Sequence, residues 1–250
     1  MKKIKVMSFN MRTQVEADGV NQFRSRKDRI LDMLTREDPD VIGFQEVTDE
    51  MRAWTREALG SKYTVVGCGR SKDYRGEATC IAFKRDSFEL INLETRWLSA
   101  TPLVPGSRYA ADQSGCPRIY TAATLKHNDS EEIFMFLNTH LDHKGSEARK
   151  LGALDVVRYL SEQKLPVIIT GDMNAYPESM AIQNAKEKLV DLTEHTGGTY
   201  HAFGTAEEKI DYIFADAQTA KKPWQCARLE RTEHGIYLSD HYPVMAEGEI

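Results

Sequence analysis

The chain has 250 residues, of which 41% are hydrophobic and 28% charged, and a formal net charge of −5. That is an ordinary soluble globular composition, long enough for one α/β domain or two small ones. The acidic balance argues against a protein that grips long nucleic acid.

Four cysteines, Cys68, Cys80, Cys116 and Cys226, have no paired spacing. They argue against a zinc ribbon or a thioredoxin-like motif and read as free thiols in a reducing compartment. The stretch Met1–Met7 is basic but meets Ser8 and Asn10 too soon for an export signal, and no apolar run is long enough to span a bilayer. A cytoplasmic protein without a membrane role is expected.

In chain order, Ile4–Phe9 predicts a first strand, closing on Ser8-Phe9-Asn10. Arg26–Glu37 predicts a helix with Ile30, Leu31 and Leu34 on one face, stopping before Pro39. The basic groups at Arg24, Arg26, Lys27 and Arg29, at Lys2, Lys3 and Lys5, and at Lys221 and Lys222 read as solvated surface. Val41–Gln45 predicts a strand that closes on Gln45-Glu46, and Thr48 caps a helix over Asp49–Leu59. Strands follow at Tyr63–Val66, Thr79–Phe83 and Phe88–Leu93.

Arg96–Pro117 carries little pattern. A loop of that length is functional or disordered, and Trp97, Pro102, Pro105 and Tyr109 argue against disorder. Beyond it come strands at Tyr120–Leu125 and Ile133–Asn138, then a helix over Glu147–Lys164 capped by Ser146. A strand at Val167–Thr170 follows, then a helix over Met180–Leu189 capped by Ser179. Strands at Ile210–Phe214 and Val244–Glu249 complete the pattern. About ten strands and four helices in mixed order predict one domain over residues 1–250, with two sheets face to face and helices outside.

Polar residues collect where these strands end: Asn10, Glu46, Asn138 to His143, Gly171-Asp172-Met173-Asn174, and Ser239-Asp240-His241, with Asp211 inside its strand. In layered α/β folds such ends gather in one cleft. Each segment alone has a bland reading: a turn asparagine, a helix-leading acid, a hydrogen-bonded loop histidine. Their order is the signal. Ser8-Phe9-Asn10-Met11, Gln45-Glu46-Val47, Gly76-Glu77, Arg118, Asn138-Thr139-His140, Gly171-Asp172-Met173-Asn174, Ile210-Asp211-Tyr212 and Ser239-Asp240-His241 resemble, in sequence, the endonuclease/exonuclease/phosphatase family over nearly the whole chain. The stretches Trp97–Pro102 and Asn138–His143 are similar to its compact bacterial members of unassigned substrate.

The resemblance implies a four-layer αββα sandwich of DNase I type and magnesium-dependent hydrolysis of a phosphate ester. Glu46 is then the main metal ligand, Asn10 assists through its oxygen or a bound water, and Asp240 adds to the metal environment. Magnesium is the expected ion and manganese the alternative; magnesium takes only one or two carboxylates. The chain lacks the paired cysteines or His-x-x-x-His helix of a zinc cage. Asp172 takes the base role and Asn174 orients water or phosphate. Asp211 holds and charges His241, which donates to the phosphoryl oxygens. His140 protonates the leaving oxygen, with Glu77 fixing its ring. Arg118 bonds within the site or to phosphate, or else forms a structural salt bridge. Asp142 and His143 stay open between a second metal site and loop bonding.

For the substrate, the resemblance of His140 with Glu77 to nuclease-like members implies a phosphodiester: a nucleotide, a nucleic acid end or a small diester, but not long duplex DNA. One alternative is a phosphomonoesterase of inositol-phosphate type, with basic residues of Arg70–Arg75 and Arg96–Pro117 binding extra phosphates. The other is a non-catalytic binding protein on the same fold. Trp97 stacks on a base or packs in the core, and Tyr74 is a candidate substrate contact.

Overall fold

The computed structural model describes residues 3–233 and 235–250. Its first half runs β1 (Lys3–Asn10), α1 (Phe23–Glu37), β2 (Val41–Val47), α2 (Asp49–Leu59), β3 (Tyr63–Val66), β4 (Ala78–Lys84), β5 (Phe88–Trp97) and β6 (Ile119–His127). The second half runs β7 (Ile133–His140), α3 (Ser146–Ser161), β8 (Val167–Asp172), α4 (Met180–Lys186), β9 (Leu189–Asp191), β10 (Asp211–Asp216) and β11 (Trp224–Arg228). A short pair, β12 (Thr232–Glu233) and β13 (Ile236–Tyr237), precedes β14 (Val244–Glu249).

The strands form two six-stranded sheets, ordered β11-β14-β1-β2-β4-β3 and β5-β6-β7-β8-β10-β9. Each contains one parallel pair, β1 with β2 and β7 with β8. Ile4, Val6, Val41, Ile81 and Phe83 of the first sheet share a core with Phe88, Leu125, Phe134, Phe136, Ile168 and Ile213 of the second. The opposite face of the first sheet packs with α1 and α2 residues, and that of the second with α3 and α4 residues. The four layers are therefore helix, sheet, sheet, helix, as the sequence implies. Among the described residues, no helix is long and apolar enough to cross a membrane.

Side chains alternate along a strand, so one parity faces the other sheet. On β1 that face reads Ile4, Val6, Ser8, Asn10; on β7 Phe134, Phe136, Asn138, His140; on β8 Ile168, Thr170, Asp172. Each strand thus begins apolar on its inner face and becomes polar; β7 and β8 end on the titratable His140 and Asp172, and β1 on the amide of Asn10. The polar layer is closed by hydrogen bonds between sheets. Gln45 donates to Ser8 Oγ (3.2 Å) and Asn138 Oδ1 (2.6 Å), and Asn138 donates to the carbonyls of Phe44 (2.8 Å) and Cys80 (2.9 Å).

Several boundaries differ from the sequence reading. β5 runs on to Trp97, which shortens the long loop. Ser146 is the first residue of α3 and not its cap; the Asp112 carboxylate instead accepts the Glu147 and Ala148 N–H groups (3.1 and 2.9 Å). Ser179 precedes α4, but its hydroxyl bonds the Tyr176 carbonyl and caps nothing. α4 ends at Lys186, and Leu189 opens the short edge strand β9.

Arg26, read from sequence as solvated, is fully buried. It lies four residues before Ile30 and so on the same inward face of α1. Its guanidinium donates to the carbonyls of Asn21 (2.5 Å), Met11 (2.8 Å), Leu238 (2.6 Å) and Arg12 (2.9 Å). Burial pulls its pKa down to about 10. These bonds tie the segment after Asn10 to the segment before His241. Arg26→Lys keeps the charge but not the planar fork, and is expected to cost about 2 kcal/mol through lost charge-assisted bonds. Urea denaturation checks this; an unchanged midpoint and slope would contradict it.

Candidate active site

The polar ends of the inner face converge in one cleft of about 520 Å³. Asn10 closes β1. Its side-chain nitrogen donates to Glu46 Oε1 (3.2 Å) and Asp172 Oδ2 (2.9 Å) and lies 3.5 Å from His241 Nε2. Its oxygen accepts the Arg12 N–H at 2.9 Å, which fixes the amide with its nitrogen toward the carboxylates. The expected use of that oxygen toward a metal therefore competes with a backbone bond.

Strict alternation would turn Glu46 away from the cleft. A break in register between Phe44 and Val47 and a left-handed φ of 61° at Glu46 re-aim it, the usual effect of a bulge beside a site. Its Oε2 accepts the Thr13 N–H at 2.9 Å. Arg12 (φ 50°) and Asn174 (φ 46°) are also left-handed, so non-glycine strain collects at three strand ends of one cleft.

Asp172 ends β8. Its Oδ1 accepts the Asn174 N–H (2.9 Å), and its Oδ2 lies 3.3 Å from His140 Nε2. The Asn174 side chain donates to the Leu141 carbonyl at 3.1 Å. Asp211 opens β10 and bonds His241 Nδ1 at 2.8 Å. Burial raises the Asp172 carboxyl well above the ordinary carboxylate range; His241 opposes this and Asp211 adds to it. Burial would lower the His241 pKa, but the carboxylates of Asp211 and Asp172 outweigh it and raise it to about 10. His140 goes the other way. Burial, with Arg118 and Arg70 nearby, holds it well below its ordinary value and keeps it neutral at pH 7.

Ligand atoms of Glu46, His140 and Asp172 lie within 4.8 Å of one another, as do those of Asp172, Asp211 and His241. Asp211 Oδ1 is buried without a hydrogen-bond partner. Converging carboxylates with a spare buried oxygen form a hard-donor set suited to a divalent cation. Asp240 belongs to neither group, although its Oδ1 lies 3.9 Å from His241 Nε2. It faces Arg12 Nε at 3.5 Å and accepts from Ser239, and burial raises its pKa.

One sequence expectation, for Glu77, is corrected, and two readings left open, for Asp142 and Trp97, are resolved. Glu77 does not fix the His140 ring; its carboxylate pairs with Arg70 Nη1 at 2.8 Å. Asp142 bonds within loops. It accepts the N–H groups of Ser114 (3.0 Å), Lys144 (3.1 Å) and Gly145 (2.8 Å), and the Ser114 hydroxyl, so its oxygens are taken. Trp97 is buried, donates to the Arg70 carbonyl at 2.6 Å and packs edge-on against Tyr74, so it offers no face to a base.

Arg118 reaches Asp142 at 3.4 Å and His143 Nδ1 at 2.7 Å. The cleft also takes Arg70, from the loop read in sequence as a candidate for binding extra phosphates, and Arg12, Arg149, Tyr176 and Tyr200, which were not marked from sequence as site residues. Arg12 alone carried a usable signal, two residues beyond Asn10. Tyr200 sits with its ring 5.0 Å from that of His241.

Comparison with known proteins agrees with this geometry. A 26% identical, uncharacterized protein of Acanthamoeba polyphaga mimivirus aligns over 207 residues, 78% of this chain and 76% of that one. An endonuclease/exonuclease/phosphatase from Bacteroides vulgatus superposes with a TM-score of 0.92 at 29% identity, covering 100% of both chains. A mannosyl-6-phosphatase from Bacteroides thetaiotaomicron superposes at 0.85 with 27% identity, covering 99% of this chain and 100% of that one. The model of the Endonuclease/Exonuclease/phosphatase family matches residues 7–241. That match begins inside β1 and ends on His241, so every strand end feeding the cleft lies within it, and the chain belongs to the endonuclease/exonuclease/phosphatase family.

Proposed function

We propose that the chain is a divalent-metal-dependent phosphoesterase that hydrolyses its substrate by in-line attack of water, and that it acts on phosphomonoesters in preference to diesters. The observation that carries the reaction class is the meeting of Asn10, Glu46, Asp172 and the Asp211–His241 pair within hydrogen-bond reach of one point. Glu46 would hold the ion, magnesium or alternatively manganese, which would neutralise phosphate oxygens when bound.

The chain's own groups account for the remaining tasks. Asp172, fixed by the Asn174 N–H, takes the proton of the attacking water. His241, charged by Asp211, donates from Nε2 to a phosphoryl oxygen, and the Asn10 amide nitrogen supplies a second donor. His140, its pKa held well below the ordinary value, is poorly suited to protonating a leaving oxygen, and its Nε2 lies 3.3 Å from Asp172 Oδ2.

The phosphodiester expectation rested on a Glu77–His140 pair, which is absent. Arg70 is paired with Glu77 and Arg118 with Asp142, but among the described residues Arg149 bonds only a carbonyl, and with the charged His241 it favours the dianion of a monoester. The likeness to a mannosyl-6-phosphatase supports the same choice.

Purified protein is incubated with a chromogenic phosphomonoester and, separately, its diester, with and without magnesium, using His241→Ala as the blank. Magnesium-dependent monoester hydrolysis, lost in the blank, is the expected result. Turnover should fall as pH drops through about 7, where Asp172 takes up a proton, and fall again as pH rises through about 10, where His241 loses its own. Asp211→Asn should move the upper fall to lower pH. Silence on both esters overturns the reaction class, and faster diester hydrolysis overturns the preference.

A further inference from the structure

Acidic side chains line the cleft at Glu46, Glu77, Asp172, Glu208 and Asp240. Glu77 is paired with Arg70, and Glu208 accepts the Tyr176 hydroxyl at 2.7 Å. Glu46 and Asp172 share one group of possible ligand atoms with His140. Asp240 is the acid left over, and its side chain is only 6% exposed. A buried carboxylate without a cation beside it is costly. That cation can be a second divalent ion or a side chain.

The structure supplies a side chain. Arg12 Nε lies 3.5 Å from Asp240 Oδ2. The same guanidinium donates twice to Asp18, from Nε at 3.0 Å and from Nη2 at 3.1 Å. It therefore stands between two carboxylates, and the Asp18 side chain is nearly as sheltered as that of Asp240. The Arg12 backbone is pinned as well. Its N–H holds Asn10 Oδ1, its carbonyl accepts from buried Arg26 at 2.9 Å, and its φ is left-handed. The next residue, Thr13, holds Glu46 Oε2 through its own N–H. One short segment thus aims Glu46 with its backbone and places a permanent cation on Asp240. An ion at Asp240 Oδ2 would lie against that like charge. Without the guanidinium, Asp18 and Asp240 would offer their oxygens to the vacated space, and such oxygens suit a hard cation.

We infer that Arg12 stands in for a second divalent cation, so that Asp240 is no metal ligand and the cleft takes a single ion, at Glu46. The inference rests on the metal-dependent reading for the ion at Glu46, but the number of ions is measured apart from turnover.

The test counts ions. The full chain, stripped with a chelator, is titrated with manganese(II) chloride, and bound ion is read from the loss of the free-ion electron paramagnetic resonance signal. The unaltered protein is expected to bind one ion. Arg12→Ala is expected to bind a second, at least about tenfold tighter than any second ion in the unaltered protein. Arg12→Lys keeps the charge and should bind one, and Arg12→Ala combined with Asp240→Asn should return to one. Asp240→Asn alone should hold its ion within about threefold of the unaltered affinity, a readout that does not depend on the folding of Arg12→Ala. Two ions in the unaltered protein, a single ion in a folded Arg12→Ala, or loss of the ion in Asp240→Asn each overturn the role of Arg12. No ion in the unaltered protein overturns the metal-dependent reading as well. One ion with no turnover of any ester leaves the role of Arg12 standing and overturns the reaction class.

Discussion

Asp172→Ala is expected to lower kcat by at least about 10²- to 10⁴-fold, the usual contribution of a positioned general base. The carboxylate is where the cleft's groups converge: it accepts from the Asn10 side chain and the Asn174 N–H, both at 2.9 Å, and His140 Nε2 lies 3.3 Å away. The fold should survive, because the Asp211–His241 pair and the inter-sheet network below do not use Asp172. Asp172→Asn separates the two roles more cleanly, since an amide oxygen can still accept the Asn174 N–H but cannot take a proton from water. Both variants should show wild-type near-ultraviolet circular dichroism and lose turnover. Activity within tenfold of wild type in Asp172→Asn would remove Asp172 as the base.

Gly43→Ala is expected to destabilise the fold by about 3 kcal/mol or more, at the upper end of what overpacking a core costs. A Cβ there would stand 2.0 Å from Thr170 Oγ1 and 2.7 Å from Asn138 Oδ1. Neither neighbour can step aside freely. Asn138 is held by the carbonyls of Phe44 and Cys80 and by Gln45, and Thr170 faces Asn138 Oδ1 at 3.2 Å. Thr170→Ala in the same chain removes the closer contact, so the double variant should recover part of the loss, a non-additivity expected of touching residues. Guanidinium denaturation of the three variants measures it. A loss below about 1 kcal/mol in Gly43→Ala would show that the sheets can separate at little cost.

The strands were legible because their inner faces are apolar and β-branched, and the site because polar residues interrupt that pattern at strand ends. Asn10, Glu46, His140, Asp172, Asp211 and His241 all come together, although only structure shows that most share one strand parity. Glu46 is the exception. Alternation points it outward, and only the bulge turns it in. The edge strands β9, β11, β12 and β13 were missed because they are short and lack a continuous apolar run. Arg26 was misread because a charged residue at a helix start looks solvated, although its spacing from Ile30 placed it inward. The partners of Glu77 and Asp142 lie across loops, where sequence spacing carries no distance.

The pairing of β1 with both β2 and β14 sets when the chain can work. Asn10 comes early in synthesis, and the His241 that sits 3.5 Å from its side chain follows 231 residues later. Until β14 arrives, β1 is an open edge, Ser8 lacks its Val244 neighbour, and Arg26 has no Leu238 carbonyl to hold. Contacts so far apart in sequence form late and slowly. A nascent chain therefore displays Glu46 and Asp172 well before His241 can join them, and the cleft is complete only when the last strand docks.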